Sequence, residues 1–168
     1  MTAYNLGFAK QMNRAAELLT SPRVKEFDEA QAVAYMNLVA IEVAMKAMLE
    51  KAGWDAKHLR KRSHDLKGLL KDICSTEIYM EIAPSHLRYV SAARLCSLSV
   101  KDTNGAKGTV GAVIDAEARG ASKYPNELRY GDNFRHFSPK VLTESAKAVI
   151  DFAETYWNSI RKKQGNDT

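Results

Sequence analysis

Between Val33 and Leu49 only Asn37, Glu42 and Lys46 interrupt an apolar run that contains neither glycine nor proline. Apolar residues on all sides mark a buried helix, so the pattern predicts a core helix over Asp28 to Ala52. At 1.5 Å per residue it is on the order of 35 Å long, the width of a small domain. Glu42 and Lys46 stand four apart, acid first, which places them on one face where they can pair.

The remaining pattern hangs on that helix. Leu6 to Leu19 reads as a first helix, terminated by Thr20, Ser21 and Pro22. Gly53 stands where a helix C-terminal glycine belongs, and a basic loop through Arg62 leads to Ser63, the expected N-cap of a short helix over His64 to Ile73. Leu66, Leu69, Leu70 and Ile73 form its core face. Ser85 to Val100, with Pro84 just ahead, predicts a fourth helix with Leu87, Val90, Leu95 and Leu98 turned inward. Regularity then fails around Gly105, Gly108 and Gly111, so Lys101 to Lys123 is expected to be a flexible insertion that orders on partner binding, with a short helix over Val113 to Arg119. Ser138 and Pro139 open the last helix, Pro139 to Lys162, with a stripe of Leu142, Ala146, Val149, Ile150, Ala153, Tyr156, Trp157 and Ile160. No segment is read as alternating with period two. The expected fold is all-α, one domain of 168 residues built as a helical bundle with two long core helices and a flexible insertion before the last one.

Composition narrows the class. With 45% hydrophobic and 27% charged residues the chain resembles an ordinary folded domain. The N-terminus lacks the pattern of a signal peptide and no other apolar stretch is read as reaching transmembrane length, so the expected location is cytoplasmic, with no membrane partner. Cys74 and Cys96 lie among apolar neighbours and are expected to be packed thiols. There is no HExxH, CxxC, phosphate loop or GxSxG, and His58 and His86 have no partner at metal spacing, so neither a metal nor a cofactor is expected.

Charge points to an anionic partner. The net charge is +5 with pI near 9.2. Lys57, Arg60, Lys61, Arg62, Lys67 and Lys71 cluster against one acid, Asp65, and Arg161, Lys162 and Lys163 extend the basic tail. Such runs serve either as solvated surface or as phosphate contacts. Just before the last helix, LRYGDNFRHFSP (Leu128 to Pro139) turns at Gly131, Asp132 and Asn133, presenting Arg129, Arg135 and His136 ahead of a helix N-terminus that favours anions.

The order of AIEVAMKAMLEKAG (Ala40 to Gly53), a basic loop, HDLKGLL (His64 to Leu70) and LRY (Leu128 to Tyr130) ahead of a long C-terminal helix resembles the HEPN family of helical nucleotide-binding domains. The resemblance covers roughly half the chain and leaves Tyr79 to Lys123 unmatched. Many members of that family are RNases of toxin-antitoxin or defence systems, marked by an Arg followed at short spacing by a His near the start of the last helix. Arg129 and His136, with six residues between them, match that pattern. Other members are noncatalytic and carry Arg-Tyr there, which Arg129-Tyr130 also matches; the RNase pattern usually has Asn, Asp or His at the Tyr130 position.

The resemblance thus implies a metal-independent endoribonuclease acting as a homodimer. His136 would take the proton of a ribose 2′-OH, Arg129 would stabilise the charge on the scissile phosphate, and a 2′,3′-cyclic phosphate would result. Tyr130, Arg135, Lys61 and Arg62 are expected to bind substrate, Phe134 to stack on a base as Tyr130 could, and His64, Asp65, Glu42 and Lys46 to support the site. As a toxin the chain would have an antitoxin partner. Two alternatives stand beside this reading: a noncatalytic nucleotide- or RNA-binding module partnered by a nucleotidyltransferase, and a helical protein-interaction domain.

Overall fold

The computed structural model describes residues 3–20, 27–83, 86–101, 107–120 and 137–161. Helix α1 (Leu6–Leu19) has the bounds its sequence predicts; Asn5 caps it, its side-chain oxygen accepting from the Gly7 N–H at 2.7 Å. Helix α2 (Phe27–Lys51) is the expected core helix. Ala40, Ile41, Ala44, Met45, Met48 and Leu49 show no exposed surface. Gly53, at φ 91°, ends it: Trp54 N–H donates to the Leu49 carbonyl and Gly53 N–H to that of Glu50, the paired bonds of a left-handed helix cap.

The chain then runs through α3 (Ala56–Lys61), α4 (Leu66–Cys74), β1 (Glu77–Ala83), β2 (His86–Ser91), α5 (Arg94–Ser97), β3 (Ser99–Lys101), β4 (Lys107–Thr109), α6 (Val110–Gly120), α7 (Pro139–Tyr156) and a 3-10 turn over Trp157–Ser159. Helices α2 and α7 run parallel. Asn37 meets Thr143 upstream, and the Lys51 ammonium lies 5.6 Å from the Trp157 ring at the far end. Parallel neighbours cannot be joined by a short turn, and the segments α3 to α6 occupy the return path.

A buried polar trio sets the register of the three long helices. Asn13 Nδ2 donates to Asn37 Oδ1 (2.9 Å) and to the Thr143 carbonyl (3.1 Å), while Asn37 Nδ2 donates to Thr143 Oγ1 (2.8 Å). Asn13, Asn37 and Thr143 are at most 6% exposed, so a slipped register would leave amides unpaired in an apolar core. Ala9 and Ala16 flank Asn13 on the buried face of α1, and their small side chains let the helices approach closely.

The structure corrects the sequence reading in several places. The basic loop after Gly53 contains helix α3, capped by Asp55. Asp65, not Ser63, caps α4, whose Leu66, Leu69, Leu70 and Ile73 are buried as expected. The helix expected over Ser85 to Val100 is replaced by strand β2, short helix α5 and strand β3, so period-two structure is present after all. β1 and β2 form an antiparallel hairpin with Ile78 opposite Val90 and Tyr79 opposite Tyr89. Only its foot is buried: Ile78 and Val90 lie in the core, while Leu87 is 53% exposed rather than inward. The β-branched and aromatic residues Ile78, Tyr79, Tyr89 and Val90 suit a pleated surface better than a helix.

Within 101–123, expected to be a flexible insertion, β3 pairs with β4, and α6 buries Val110, Val113 and Ile114 in the core. Helix α7 begins at Ser138 and Pro139 as expected but ends at Tyr156; Ile160 is buried as a bridge to Ile78 rather than on a helical stripe. By length and apolarity Ala30–Lys51 does reach membrane-spanning dimensions, yet 72% of that window is buried inside the fold. It is the core helix of a mostly helical protein, with two small sheets among the described residues.

Asn37→Leu should lower stability to urea denaturation by about 2 kcal/mol or more, because Asn13 and Thr143 lose a buried partner. Adding Asn13→Leu should cost less than the sum of the single changes, since the partners then leave together.

Candidate functional site

Glu42, Lys46 and Glu50 recur every four residues, forming one charged stripe along the second half of α2. Glu42 and Lys46 are 7% and 4% exposed, and their Oε1 and Nζ atoms lie 2.7 Å apart. The pair that the spacing predicts is therefore present and almost entirely removed from water. Lys46 also donates to the Ser63 carbonyl at 2.7 Å and lies 5.3 Å from the centre of the Tyr4 ring. Glu50 accepts from the consecutive Ala3 and Tyr4 N–H groups at 2.7 and 3.0 Å. Non-helical segments carry unpaired backbone groups, and this stripe satisfies them for the N-terminal arm and for the α3–α4 turn.

The turn has an unusual backbone. Ser63 sits at φ 45°, a left-handed conformation rare for a non-glycine residue, and its carbonyl reaches the Lys46 ammonium. The next residue, His64, places Nδ1 2.8 Å from Glu42 Oε2. A carboxylate oxygen only accepts, so this contact favours the imidazole form with its hydrogen on Nδ1. Glu42 thus fixes the ring, whose side chain is 43% exposed at the surface. Asp65 accepts from the Gly68 N–H at 2.8 Å, and a Cβ on Gly68 would fall 2.0 Å from Asp65 Oδ2. The glycine is what leaves room for the cap.

Arg62, expected to bind substrate, is engaged inside the protein. Its Nη2 donates to Asp72 Oδ1 at 2.9 Å, and Nε lies 2.8 Å from Asp72 Oδ2 but off the hydrogen-bond direction, a Coulombic contact. Asp65 Oδ2 lies 3.8 Å from Nη1. Lys67 pairs with Asp115 across to α6.

Of the basic cluster over 57–71, Lys71 and three cations of α3 have no ion-pair partner among the described residues. Lys57, Arg60 and Lys61 are exposed, and at 100° per residue they share about 100° of the surface of α3, with buried Leu59 on the other side. Helix α3 ends at Lys61, directly before the turn that the α2 stripe holds, so the buried charges position the basic face. His58 is used otherwise, its ring edge-on to Trp54 at 5.0 Å.

Of the residues singled out in the sequence, Glu42, Lys46 and His64 come together, with Arg62 and Asp65 in the adjoining turn and Lys61 on the basic face. Arg129, Tyr130, Phe134, Arg135 and His136 lie outside the described residues. Sequence reasoning missed Tyr4 and Asp72, and gave Ser63 a capping role that Asp65 fills instead. The four-residue repeat from Glu42 to Glu50 was the available signal that something polar docks on that face. Among the described residues no group of three or more His, Cys, Asp and Glu side chains gathers as a metal site.

Lys46→Met should cost about 3–5 kcal/mol in chemical denaturation, because it strands the buried Glu42 carboxylate. Glu42→Leu combined with Lys46→Met should recover most of that loss, and His64→Ala, at an exposed site, should cost less than Lys46→Met.

Comparisons of the chain with protein families, with curated proteins and with solved structures found no match.

Proposed function

We propose that this chain is a HEPN-type RNA-binding domain that cleaves RNA without a metal, through Arg129 and His136 brought together with a second copy in a homodimer. The observation that carries the binding half is the face of α3: three exposed cations opposite Leu59, with no acid paired to them among the described residues. Phosphate contacts of this kind are independent of sequence and supply most of the affinity for a nucleic acid.

Cleavage rests on the resemblance and on the position of α7. Ser138 caps that helix, accepting from the Val141 N–H, and Pro139 opens it, so His136 precedes the cap by two residues. A helix start favours a phosphate through its N–H groups and dipole. His136 takes the proton of the 2′-OH, that oxygen attacks the adjacent phosphorus, and the 5′-oxygen leaves, giving a 2′,3′-cyclic phosphate. Arg129 offsets the charge on the phosphate oxygens. The leaving oxygen needs a proton, and a dimer supplies a second histidine to donate it. DNA has no 2′-OH and is bound but not cut. Tyr130 favours a second reading, in which the same basic face binds RNA or a nucleotide and a partner such as a nucleotidyltransferase supplies the chemistry.

End-labelled RNA incubated with the protein in chelator should yield cyclic-phosphate ends, with cleavage falling roughly 100-fold or more in Arg129→Ala and in His136→Ala. Equal cleavage by all three proteins would assign the activity to a contaminant. Lys57→Ala/Arg60→Ala/Lys61→Ala should weaken RNA binding and lower its log-log salt slope by roughly 2, at about 0.7 per phosphate contact. Binding lost in that triple variant, with no cleavage by any protein, would favour the noncatalytic module.

A further inference from the structure

Cys74 and Cys96 are far apart in sequence but face each other, with the two sulfur atoms 3.2 Å apart. Cys74 is the last residue of α4 and Cys96 lies within α5. The β1–β2 ladder starts between them, at Glu77 opposite Ser91, so the thiols meet at the foot of the hairpin. Both are half-buried, within reach of a small oxidant. The wall behind Cys96 is rigid, because Gly111 of α6 packs so closely that a Cβ there would come within 3.0 Å of the Cys96 carbonyl oxygen and 3.2 Å of its Cβ.

We propose that Cys74 and Cys96 are a peroxide-sensitive modification site, oxidised to an intramolecular disulfide that ties the end of α4 to α5 across the foot of the hairpin. The sulfurs need to approach by only about 1 Å to reach bonding distance. The oxidant is hydrogen peroxide. The thiolate of one cysteine attacks one peroxide oxygen, the O–O bond breaks, and sulfur is oxidised to a sulfenic acid as hydroxide leaves. The other cysteine then attacks that sulfur; the S–S bond forms, the S–O bond breaks, and the hydroxyl departs as water with the proton of the second thiol. In sum, two thiols and one peroxide give one disulfide and two waters, and a dithiol reductant reverses the change.

Burial, and then the hydrogen bond and charge of Cys96, push the Cys74 thiol up to about 12 from an ordinary 9.0. The shift belongs to the pair: with the sulfurs 3.2 Å apart the two thiols do not ionise together, so one sulfur attacks while the other keeps its proton. Bonding closes a loop around the hairpin and restricts the unfolded chain.

The test is intact-mass measurement of the reduced protein before and after hydrogen peroxide, with free thiols counted in denaturant. A monomer that loses two hydrogen atoms and both thiols, regains them with dithiothreitol, and melts roughly 5–10 °C higher when oxidised is the expected result. Cys74→Ser and Cys96→Ser should each stop at a sulfenic acid that dimedone traps, because the resolving sulfur is gone. Persistence of both thiols, a bond formed only between molecules, or an unchanged melting temperature would overturn the proposal. The wild-type masses decide the matter even if a variant fails to fold.

Discussion

An ammonium group taken out of water must be surrounded by partners, and the surroundings of Lys46 shape one whole side of this protein. Its carboxylate partner Glu42 comes from its own helix, but that leaves further donor and acceptor capacity to satisfy. The Ser63 carbonyl, the Tyr4 ring and, through Glu42, the His64 imidazole complete the shell. Each comes from a segment that is not helical at that point. The left-handed backbone of Ser63 fits the same logic, since it directs a carbonyl at a cation rather than leaving it to solvent.

The opposite side of α2 works by different physics. There the partners are helices with satisfied backbones, and apolar packing joins them, with Asn13, Asn37 and Thr143 fixing how they slide. Because α2 and α7 run parallel, the chain has to travel back along the molecule between them. The basic helix, the hairpin and the cysteine pair all belong to that return path. Its inner residues, among them Leu69, Ile73, Val113 and Ile114, join the core, while its outer surface carries exposed side chains, and such connections are where binding surfaces commonly lie.

Most of the long-helix framework was legible in the sequence, because its signals are local and redundant. The apolar run from Val33 to Leu49, the Gly53 cap and the Ser138-Pro139 start each name their structure within a few residues. The hairpin was not legible because its alternation is masked: Tyr79, Leu87 and Tyr89 make the outer face as apolar as the inner, so period two hides. Leu87, Val90, Leu95 and Leu98 mimic a helical face although a turn separates Val90 from Leu95. The short helix expected over Val113 to Arg119 lies within α6, but Gly108 and Gly111 were read as breakers ahead of it, whereas α6 already starts at Val110 and Gly111 is there for close contact with Cys96. The Glu42–Lys46 pair was read correctly, but its partners Ser63 and Tyr4 lie at separations that no periodicity reports.

These features connect the interior to the surface that would meet RNA, because the turn fixed by Lys46 and Glu42 is also where α3 ends. Amide hydrogen exchange in Glu42→Leu/Lys46→Met, which keeps an apolar core but has no charged stripe at those positions, tests that connection most directly. The account predicts exchange at least tenfold faster at the hydrogen-bonded Arg62, Ser63 and Asp65 amides, while the amides of α7 keep their protection. A turn as well protected as in the unaltered protein would contradict it.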